Sequence, residues 1–593
     1  MTDEATSYRS HYCGRVSEAE VNKKITVAGW VDSRRDHGGV IFIDLRDRSG
    51  LLQVVVDRDQ NQELHDLFGE LRREYVIQVE GKVRPRSEET INPNIETGTI
   101  ELEAEELRLL NEAETPPFPL DEAEQTRENL RLEYRYLELR RSRLQENLAL
   151  RHRVAQEVRQ YLSETGFQEV ETPILTRSTP EGARDYVVPS RVNPGRFYAL
   201  PQSPQLFKQL LMCAGTDRYF QIVKCFRDED LRSDRQPEFT QIDLEASFVE
   251  EEDIYEISEG IVKAAAAAAG IDLPEPPFPR MSYEEAMSRF GTDKPDLRYD
   301  LELEEVSDIF SETELGVFKS VLDDEGIIKA LVVPGGEEWT RSRLDEYTEY
   351  AQSLGAKGLA WIKVGAGGWQ SPIAKFLSDE EKDELIEQTG LENGDLIFFM
   401  ADQQNVVNSV LGEIRQRVAR EEELIDDSHE LLWVTKFPLL EYNQRQGRYE
   451  AMHHPFTAPA SESSDKLPEE PEDAYSRAYD LVWNGVEIGG GSIRNHRVEQ
   501  QQLMFESLDI SEQEARKKFG FLLKALQYGA PPHGGIAFGF DRLLMLLAGE
   551  ETIRNVIPFP KTQRATDPLT GAPAEISEEQ LQELHLEVDE LDE

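Results

Sequence analysis

The chain is 593 residues long, 39% hydrophobic and 31% charged, and 116 acidic against 65 basic side chains give a formal net charge of −51. That length suits roughly four domains with real cores, and no apolar run reaches the ~18 residues that a helical membrane span needs. Cys13, Cys213 and Cys225 lie far apart without a CxxC pair, and the start Met1-Thr-Asp-Glu carries no secretory signal, which excludes a disulfide framework and predicts a cytoplasmic protein. The acidic excess suits a salt-rich cytoplasm, where screening shortens repulsion to about 3 Å at molar salt.

Five strand-like runs, 25–31, 40–45, 51–56, 76–83 and 100–107, with one amphipathic stretch at 62–74, match an OB-fold barrel. Alternation sets Ile41, Ile43 and Leu45 against Val40, Phe42 and Asp44. Phe42 can therefore stand outside the barrel with Gln53, close to Arg34 and Arg35, an arrangement that stacks on and hydrogen-bonds unpaired bases. The competing reading makes Phe42 an ordinary core residue. Residues 111–125, with Thr115-Pro-Pro-Phe-Pro119, form a proline-rich hinge.

A long helix is predicted over 142–165, with Leu144, Leu148, Ala155, Val158 and Leu162 on one stripe and Gly166 as its stop. Residues 167–173 then read as a strand ending in Pro173. The polar segments 179–186 and 200–208 read as loops or strand edges rather than core. From Phe226 to Glu245 the chain reads as two strands. On the returning one Phe239, Gln241, Asp243 and Glu245 share a face opposite Thr240, Ile242 and Leu244; on the outgoing one Arg227 and Glu229 share a side. An aromatic ring, an arginine, an amide and carboxylates on one face suit a ligand with a flat base, phosphates and an ammonium group. A solvated antiparallel hairpin is the alternative.

The run Ala264 to Ala269 is a plain helix end before Gly270, and between 294 and 425 an α+β segment intervenes, with strand-like runs at 358–364 and 395–399. Further on, Asn484-Gly485 predicts a two-residue hairpin turn in which Trp483 opposes Val486, Val482 opposes Glu487 and Asp480 opposes Gly489. Asp480 and Glu487 then lie on one face within about 8 Å, and two carboxylates with no thiol or imidazole between them suit Mg²⁺ held partly through phosphates; a solvated hairpin is again the alternative. Gly489 to Gly491 let a substrate lie against the backbone, and Arg494 returns a positive charge. Near the C-terminus, Gly534-Gly-Ile-Ala-Phe-Gly-Phe-Asp-Arg542 places Arg542 at the start of the apolar helical run 543–547. The acidic tail has capping spacing at Ser577 and Gln580 and a stripe of Leu581, Leu584, Val588 and Leu591, which predicts a helix docked on the body.

The segments 226–245 and 534–542 resemble motifs 2 and 3 of the class II aminoacyl-tRNA synthetases, and 167–173 resembles motif 1. Thr179-Pro-Glu-Gly-Ala-Arg-Asp-Tyr186, Leu200-Pro-Gln-Ser-Pro-Gln-Leu-Phe-Lys208, Ala451-Met-His-His-Pro-Phe456 and the Asp480 hairpin are similar, almost word for word, to the bacterial-type aspartyl-tRNA synthetases. The resemblance covers nearly the whole chain. It implies an α+β multidomain fold: an OB-fold anticodon-binding domain (1–112), a hinge (113–141), a catalytic domain on an antiparallel sheet with flanking helices in two parts (142–293 and 426–565), an α+β insertion (294–425) and an acidic tail (566–593). In the insertion, Phe398-Phe-Met-Ala-Asp402 departs at Met400 from the usual Phe-Phe-Gly-Ala-Asp.

The resemblance further implies an aspartate–tRNA ligase. ATP and L-aspartate would give aspartyl-adenylate and pyrophosphate, and the aspartyl group would pass to the 3′ end of tRNA(Asp), with Mg²⁺ as cofactor and a homodimer built on motif 1. Carried over by position, Lys208 and Arg494 bind the aspartate side chain, a point charge and a planar fork for a carboxylate. Glu181, Gln205, Asp243 and His453 surround the ammonium end. Arg227 bridges the α-carboxylate and α-phosphate, Phe239 stacks on adenine, and Glu229 and Gln236 contact ATP, with Asp228, Glu487, Gly539, Phe540 and Asp541 beside it. Arg542 holds the γ-phosphate, Asp480 and Glu487 hold Mg²⁺, and Arg227 and Arg542 are the catalytic residues. Arg34, Phe42, Gln53 and Glu101 read the anticodon; at high salt, stacking and base-edge bonds carry more of that affinity because counterion release shrinks.

Relaxed family members, which also charge tRNA(Asn), carry histidine after the arginines, as Arg34-Arg-Asp-His37 does, while Glu89 at a second discriminating position matches neither pattern. A ligase for tRNA(Asp) and tRNA(Asn) is therefore the alternative, and His37 as a neutral loop residue stays open. The large insertion and the Lys208 and Arg494 pair argue against the lysyl and asparaginyl members. Arg227, Arg542, Asp480 and Glu487 together argue against a non-catalytic tRNA-binding relative.

Overall fold

The computed structural model describes residues 5–179, 183–232, 234–444, 446–467 and 469–589. The chain forms two compact units, Met1–Arg151 with Thr552–Glu575, and His152–Glu551 with Ile576–Glu593.

In the first unit β1 (Lys24–Asp36), β2 (Val40–Asp47), β3 (Gly50–Asp57), α1 (Gln62–Glu70), β4 (Val76–Pro85) and β5 (Ile100–Asn111) build a closed barrel in the order β1-β2-β3-β5-β4. The period of two sorts the side chains: Ile25, Val27, Ile41, Ile43, Leu45, Leu52 and Val54 fill the interior, each full burial stabilising by ~1.5–3 kcal/mol. Asn61 caps α1 by accepting from Leu64 N at 3.0 Å, and Leu64 and Phe68 pack into the barrel core. Two short helices follow, α2 (Glu128–Glu133) and α3 (Arg135–Glu138), and then α4 (Ser142–Glu164). Gly166 stops α4 with a φ of +86°. The buried stripe of α4 runs through Leu144, Leu150, Val154, Val158 and Leu162. Leu148 and Ala155, expected on it, are only half-buried: the stripe advances in steps of four from Leu150, and Ala155 falls one position, about 100°, off it.

The second unit begins within α4, at His152, and continues with β6 (Gln168–Glu169), the small pair β7 (Val187–Pro189) and β8 (Phe197–Ala199), α5 (Gln205–Cys213), β9 (Arg218–Phe226), β10 (Glu238–Ser247), α6 (Glu251–Ala269), β11 (Arg280–Ser282) and α7 (Tyr283–Phe290). A separate layer follows: β12 (Leu303–Glu305), α8 (Gly316–Asp323), β13 (Ile327–Val333), α9 (Arg341–Ser353), β14 (Ala360–Gly365), β15 (Gly368–Gln370), α10 (Asp379–Thr389), β16 (Leu396–Asp402) and α11 (Gln404–Glu421). Its antiparallel sheet, β12-β13-β16-β14-β15, is covered on both faces, by a core around Tyr347, Phe398 and Ile414 and another around Phe310, Ile328 and Phe399. This two-sided burial is why β13 and β16 read as continuous apolar runs. Met400 is buried in the first of these cores.

The chain returns through β17 (Leu431–Thr435), the pair β18 (Leu440–Asn443) and β19 (Arg448–Ala451), β20 (Ala478–Trp483), β21 (Val486–Ile493), α12 (Val498–Ser507), α13 (Glu512–Leu526), β22 (His533–Gly539) and α14 (Phe540–Ala548). One eight-stranded sheet, β11-β17-β20-β21-β22-β10-β9-β6, carries the polar segments singled out in the sequence; it is antiparallel except at its two end pairs.

Three expectations change. Strand β9 ends at Phe226, so Arg227 and Glu229 lie in the loop beyond it, although Arg227 N still donates to Pro237 O at 2.9 Å. Residues 205–208 are the first turn of α5 and belong to the core, because Gln205, Leu206, Lys208, Gln209 and Met212 all turn inward. The tail helix α15 (Glu578–Leu584), capped by Ser577, buries none of its residues, and Val588 lies beyond its end and is exposed. The predicted docked stripe is thus not formed there, and Leu591 lies outside the described residues. The alanine run ends α6 at Gly270 as expected.

Candidate active site

Strand β10 is buried on both faces from Thr240 to Ser247, so its polar alternation is not a solvated surface. Asp243 and Glu245 are each 0% exposed. Lys208, reaching in from α5, lies 2.8 Å from Asp243 Oδ1 and 3.2 Å from Glu245 Oε2. Arg494, just past β21, donates Nε to Glu245 Oε1 at 2.9 Å and Nη2 to Oε2 at 3.1 Å, and its Nη1 to Ser492 Oγ at 2.7 Å and His454 Nε2 at 2.6 Å. Two buried cations and two buried carboxylates thus balance in one cluster. Glycine makes this arrangement sterically open: a Cβ on Gly535, paired with Glu245 across β22, would stand 2.1 Å from Glu245 Oε2.

The cluster sets its own protonation. Burial pushes Glu245 up, but Arg494 and then Lys208 pull it to about 2. Burial raises Asp243 against the opposing pull of Lys208. Burial, reinforced by Arg494, holds His454 well below the ordinary histidine range, so its neutral ring accepts from Arg494. Neither Glu245 nor His454 had been assigned a role from sequence. The alternation already placed Glu245 beside Asp243, but its pairing to Arg494 spans 249 residues of sequence and two strands.

The hairpin of β20 and β21 turns at Asn484-Gly485 as predicted, with Trp483 opposite Val486 and Val482 opposite Glu487. A bulge between Leu481 and Val482 then moves Asp480 opposite Gly490 rather than Gly489. The carboxylates still share a face: a Cβ on Gly490 would meet Asp480 Oδ1 at 2.5 Å and Glu487 Oε1 at 3.6 Å. Gly490 and Gly535 therefore make room for the protein's own carboxylates, not only for a substrate. Burial and the Asp480 charge raise Glu487. His453 Nε2 lies 3.5 Å from Asp480 Oδ1, and Asp480 raises its pKa against the effect of burial. The structure brings His453 to the carboxylate hairpin and its neighbour His454 to the Lys208 and Arg494 cluster. Among the described residues no group of three or more His, Cys, Asp or Glu gathers as metal ligands. Any cation over Gly490 would draw its further oxygens from elsewhere.

Arg227 lies with its guanidinium carbon 5.1 Å from the centre of the Phe239 ring. Buried side-chain atoms without a hydrogen-bond partner include Gln205 Nε2 at the start of α5, Arg227 Nε beside Phe239 and His453 Nδ1 beside the carboxylate hairpin, whereas Asp243 is bonded by Tyr219 as well as by Lys208. Buried polar atoms are normally paired, so each of these three is a point open to a polar contact from outside the chain. Arg542 Nη2 lies 3.1 Å from Asp234 Oδ2, and its Nη1 donates to Glu487 O at 3.2 Å. Asp228 lies 3.6 Å from Arg184, and Glu229 3.8 Å from Arg235. Gln236 is buried, Gly539 forms the N-cap of α14, and Glu181 lies outside the described residues. Phe540 and Asp541 turn inward, and Asp541 Oδ2 accepts from Thr240 N at 2.7 Å, tying α14 to β10.

On the barrel, Phe42 is half-buried on the outer face, and the exposed His37 meets it edge-on with ring centres 5.8 Å apart. Gln53 donates to Glu101 at 2.9 Å and accepts from Arg35 at 3.2 Å. Arg35 shares this face. Arg34, its neighbour, instead bonds the carbonyl of Gly69 at the end of α1. Glu89 is exposed in the loop between β4 and β5.

A catalytic-looking sheet with buried paired charges, preceded by a five-stranded barrel, corresponds to a known class. Residues 127–563 match the model for class II tRNA synthetases (D, K and N), and residues 25–110 match the OB-fold nucleic acid binding domain. The chain belongs to the class II tRNA synthetases of the D, K and N group, and is thus an aminoacyl-tRNA synthetase and a ligase. Within that group it is 56% identical over 582 residues to the aspartate–tRNA(Asp/Asn) ligase of Halothermothrix orenii, covering 98% of each chain. It is 55% identical over 583 residues to that of Desulfatibacillum aliphaticivorans, again covering 98% of each. Among solved structures, asparaginyl-tRNA synthetase from Pyrococcus horikoshii complexed with asparaginyl-adenylate shares the fold (TM-score 0.59, 21% identity, 93% of this chain and 98% of that one). So does the aspartyl tRNA synthetase from Entamoeba histolytica (TM-score 0.56, 16% identity, 92% and 89%). Among the described residues no helix is long and apolar enough to cross a membrane.

Proposed function

We propose that the protein is an aspartate–tRNA ligase that charges both tRNA(Asp) and tRNA(Asn). The observation that carries the aspartate reading is the pair of cations, Lys208 and Arg494, converging on Glu245 at the buried end of the site. A substrate side-chain carboxylate meets there a point charge and a planar fork already fixed in direction. Asp243 and Gln205, whose Nε2 has no hydrogen-bond partner, receive the substrate ammonium and backbone end, to which Glu181 and His453 are also assigned by position in the sequence. The wider tRNA range is favoured by His37 and by relatives named for both tRNAs.

Phe239 stacks on adenine, displacing Arg227 from its resting contact; Arg227 then bridges the aspartate α-carboxylate and the α-phosphate. Glu229 and Gln236 contact the nucleotide from the loop between β9 and β10, and Arg542 holds the γ-phosphate. The α-carboxylate, already ionised, attacks the α-phosphorus in line, and pyrophosphate leaves. Catalysis is positioning and charge stabilisation by Arg227 and Arg542. Asp480 and Glu487 would hold Mg²⁺ together with phosphate oxygens, an all-oxygen set that suits this ion and neutralises phosphate charge. The terminal ribose 3′-hydroxyl of the tRNA then takes the aspartyl group, while the barrel face around Phe42, Gln53 and Glu101 reads the anticodon.

We further read the protein as a cytoplasmic homodimer from a salt-rich cell. The exposed apolar residues Ile174, Leu175 and Val187 near the segment resembling motif 1 favour the dimer, and the net charge of −51 favours the salt-rich setting. Charging of purified tRNA(Asp) and tRNA(Asn) with radiolabelled aspartate tests the reading. Both are expected to be charged; charging of tRNA(Asp) alone removes the wider range, and charging of neither overturns the assignment.

A further inference from the structure

The tip of the carboxylate hairpin is gripped from two sides, by Asp296 at the entry to the inserted α+β layer and by residues 428–430, which follow that layer and lead into β17. On the exit side Asn484 Oδ1 accepts from Glu430 N at 2.8 Å, Asn484 Nδ2 donates to Ser428 O at 3.2 Å, and Asn484 N donates to Glu430 O at 2.9 Å. On the entry side Gly485, with a φ of +76°, packs so closely on Asp296 that a Cβ there would stand 3.0 Å from Asp296 Cβ. Asp296 is itself immobilised. Its carboxylate accepts from Arg298 Nε at 2.9 Å and Nη2 at 2.7 Å, and its carbonyl accepts from Arg415 Nη2 at 2.8 Å.

Arg415 belongs to α11 of the inserted layer and is 0% exposed. It also donates to Tyr299 Oη at 2.9 Å and to Leu301 O, and lies over the rings of Tyr299 and Phe290 at 4.2 and 4.8 Å. A buried guanidinium is tolerable only while its partners stay in place, so Arg415 fixes the path of residues 296–301. An Asn-Gly turn forms without outside support; the contacts to Asp296, Ser428 and Glu430 therefore add location rather than turn stability.

We propose that the inserted layer and the segment leaving it position the active site: Arg415 of the layer acting through Asp296, and Asn484 acting through residues 428–430 that follow the layer, hold the β20–β21 hairpin so that Asp480 and Glu487 present one cation-binding face. The proposal rests on the reading of those carboxylates as ligands of the divalent cation. Arg415 and Asn484 are positioning residues that touch neither cation nor nucleotide.

The test uses the full-length chain, Mn²⁺ as probe and ATP present, with Mn²⁺ binding read by electron paramagnetic resonance and folding by circular dichroism. Asn484→Gly keeps the left-handed turn open while removing both side-chain bonds. It is expected to weaken Mn²⁺ binding by about tenfold, as loss of a supporting partner does, and to raise the Mg²⁺ needed for half-maximal pyrophosphate exchange by a similar factor, with the aspartate KM unchanged. Gly485→Ala and Arg415→Lys are expected to shift both readouts the same way. Asn484→Asp, which keeps the acceptor for Glu430 N, should recover part of the loss and carries the comparison if Asn484→Gly does not fold. Folded variants with wild-type Mn²⁺ affinity and Mg²⁺ dependence would overturn the proposal. Asp480→Asn separates the causes: if it too leaves Mn²⁺ binding intact, the cation reading fails and the positioning role with it. If it abolishes binding while the turn variants bind normally, only the positioning role fails.

Discussion

Glu245 holds Arg494 through both carboxylate oxygens, at 2.9 and 3.1 Å, with neither side chain open to solvent. The fork is therefore oriented before any substrate enters, and Lys208 is drawn to the same carboxylate. A site prepared in this way spends no reorganisation on the incoming aspartate.

Glu245→Gln leaves a buried guanidinium and ammonium with one carboxylate between them, and should destabilise the protein by about 3–5 kcal/mol in urea unfolding at pH 7. Glu245 is lowered from the usual 4.5 to about 2 in the folded chain, so its contribution is full above pH 4.5 and lost as the pH falls through about 2. The stability gap between wild type and Glu245→Gln should accordingly be constant at neutral pH and close over that acidic window. A gap that widens on acidification would refute the pairing.

Arg227→Ala should abolish aspartate-dependent pyrophosphate exchange while circular dichroism stays unchanged, because the side chain lies over Phe239 with its Nε unpartnered, and the bond to Pro237 is made by the backbone, which the substitution keeps. Phe239→Ala should raise the ATP KM by about 5- to 150-fold, equivalent to ~1–3 kcal/mol of base stacking, and leave the aspartate KM close to wild type. Near-normal exchange in Arg227→Ala would remove it from the reaction.

Much of this was legible because period-two alternation is local. The five barrel strands, the face shared by Asp243 and Glu245, and the Asn484-Gly485 turn all follow from neighbouring residues. The bulge that moves Asp480 to Gly490 was not legible, since a one-residue slip is decided by the partner strand. Nor was the burial of Lys208, because polar residues in the first turn of α5 look like a loop until the opposing carboxylates are in place. Arg34 and Arg35 show the same limit: they alternate, but only the folded barrel shows that Arg35 shares the Gln53 face while Arg34 turns to α1.

Phe42→Ala should weaken tRNA(Asp) binding by ~1–3 kcal/mol, read by filter binding, without altering exchange in the absence of tRNA. Equal tRNA affinity in wild type and variant would return Phe42 to the barrel's packing.

With a net charge of −51, aminoacylation should persist or rise from 0.1 M to about 2 M KCl, the range over which screening relieves self-repulsion. Unfolding or loss of charging at molar salt would contradict the salt-rich setting.

The most direct measurement is ATP–pyrophosphate exchange on the purified full-length protein with aspartate, asparagine or lysine as the only amino acid. The Lys208, Arg494 and Glu245 cluster predicts exchange with aspartate alone, because only its side-chain carboxylate answers both cations. Exchange driven by asparagine or lysine, with aspartate inactive, would contradict it.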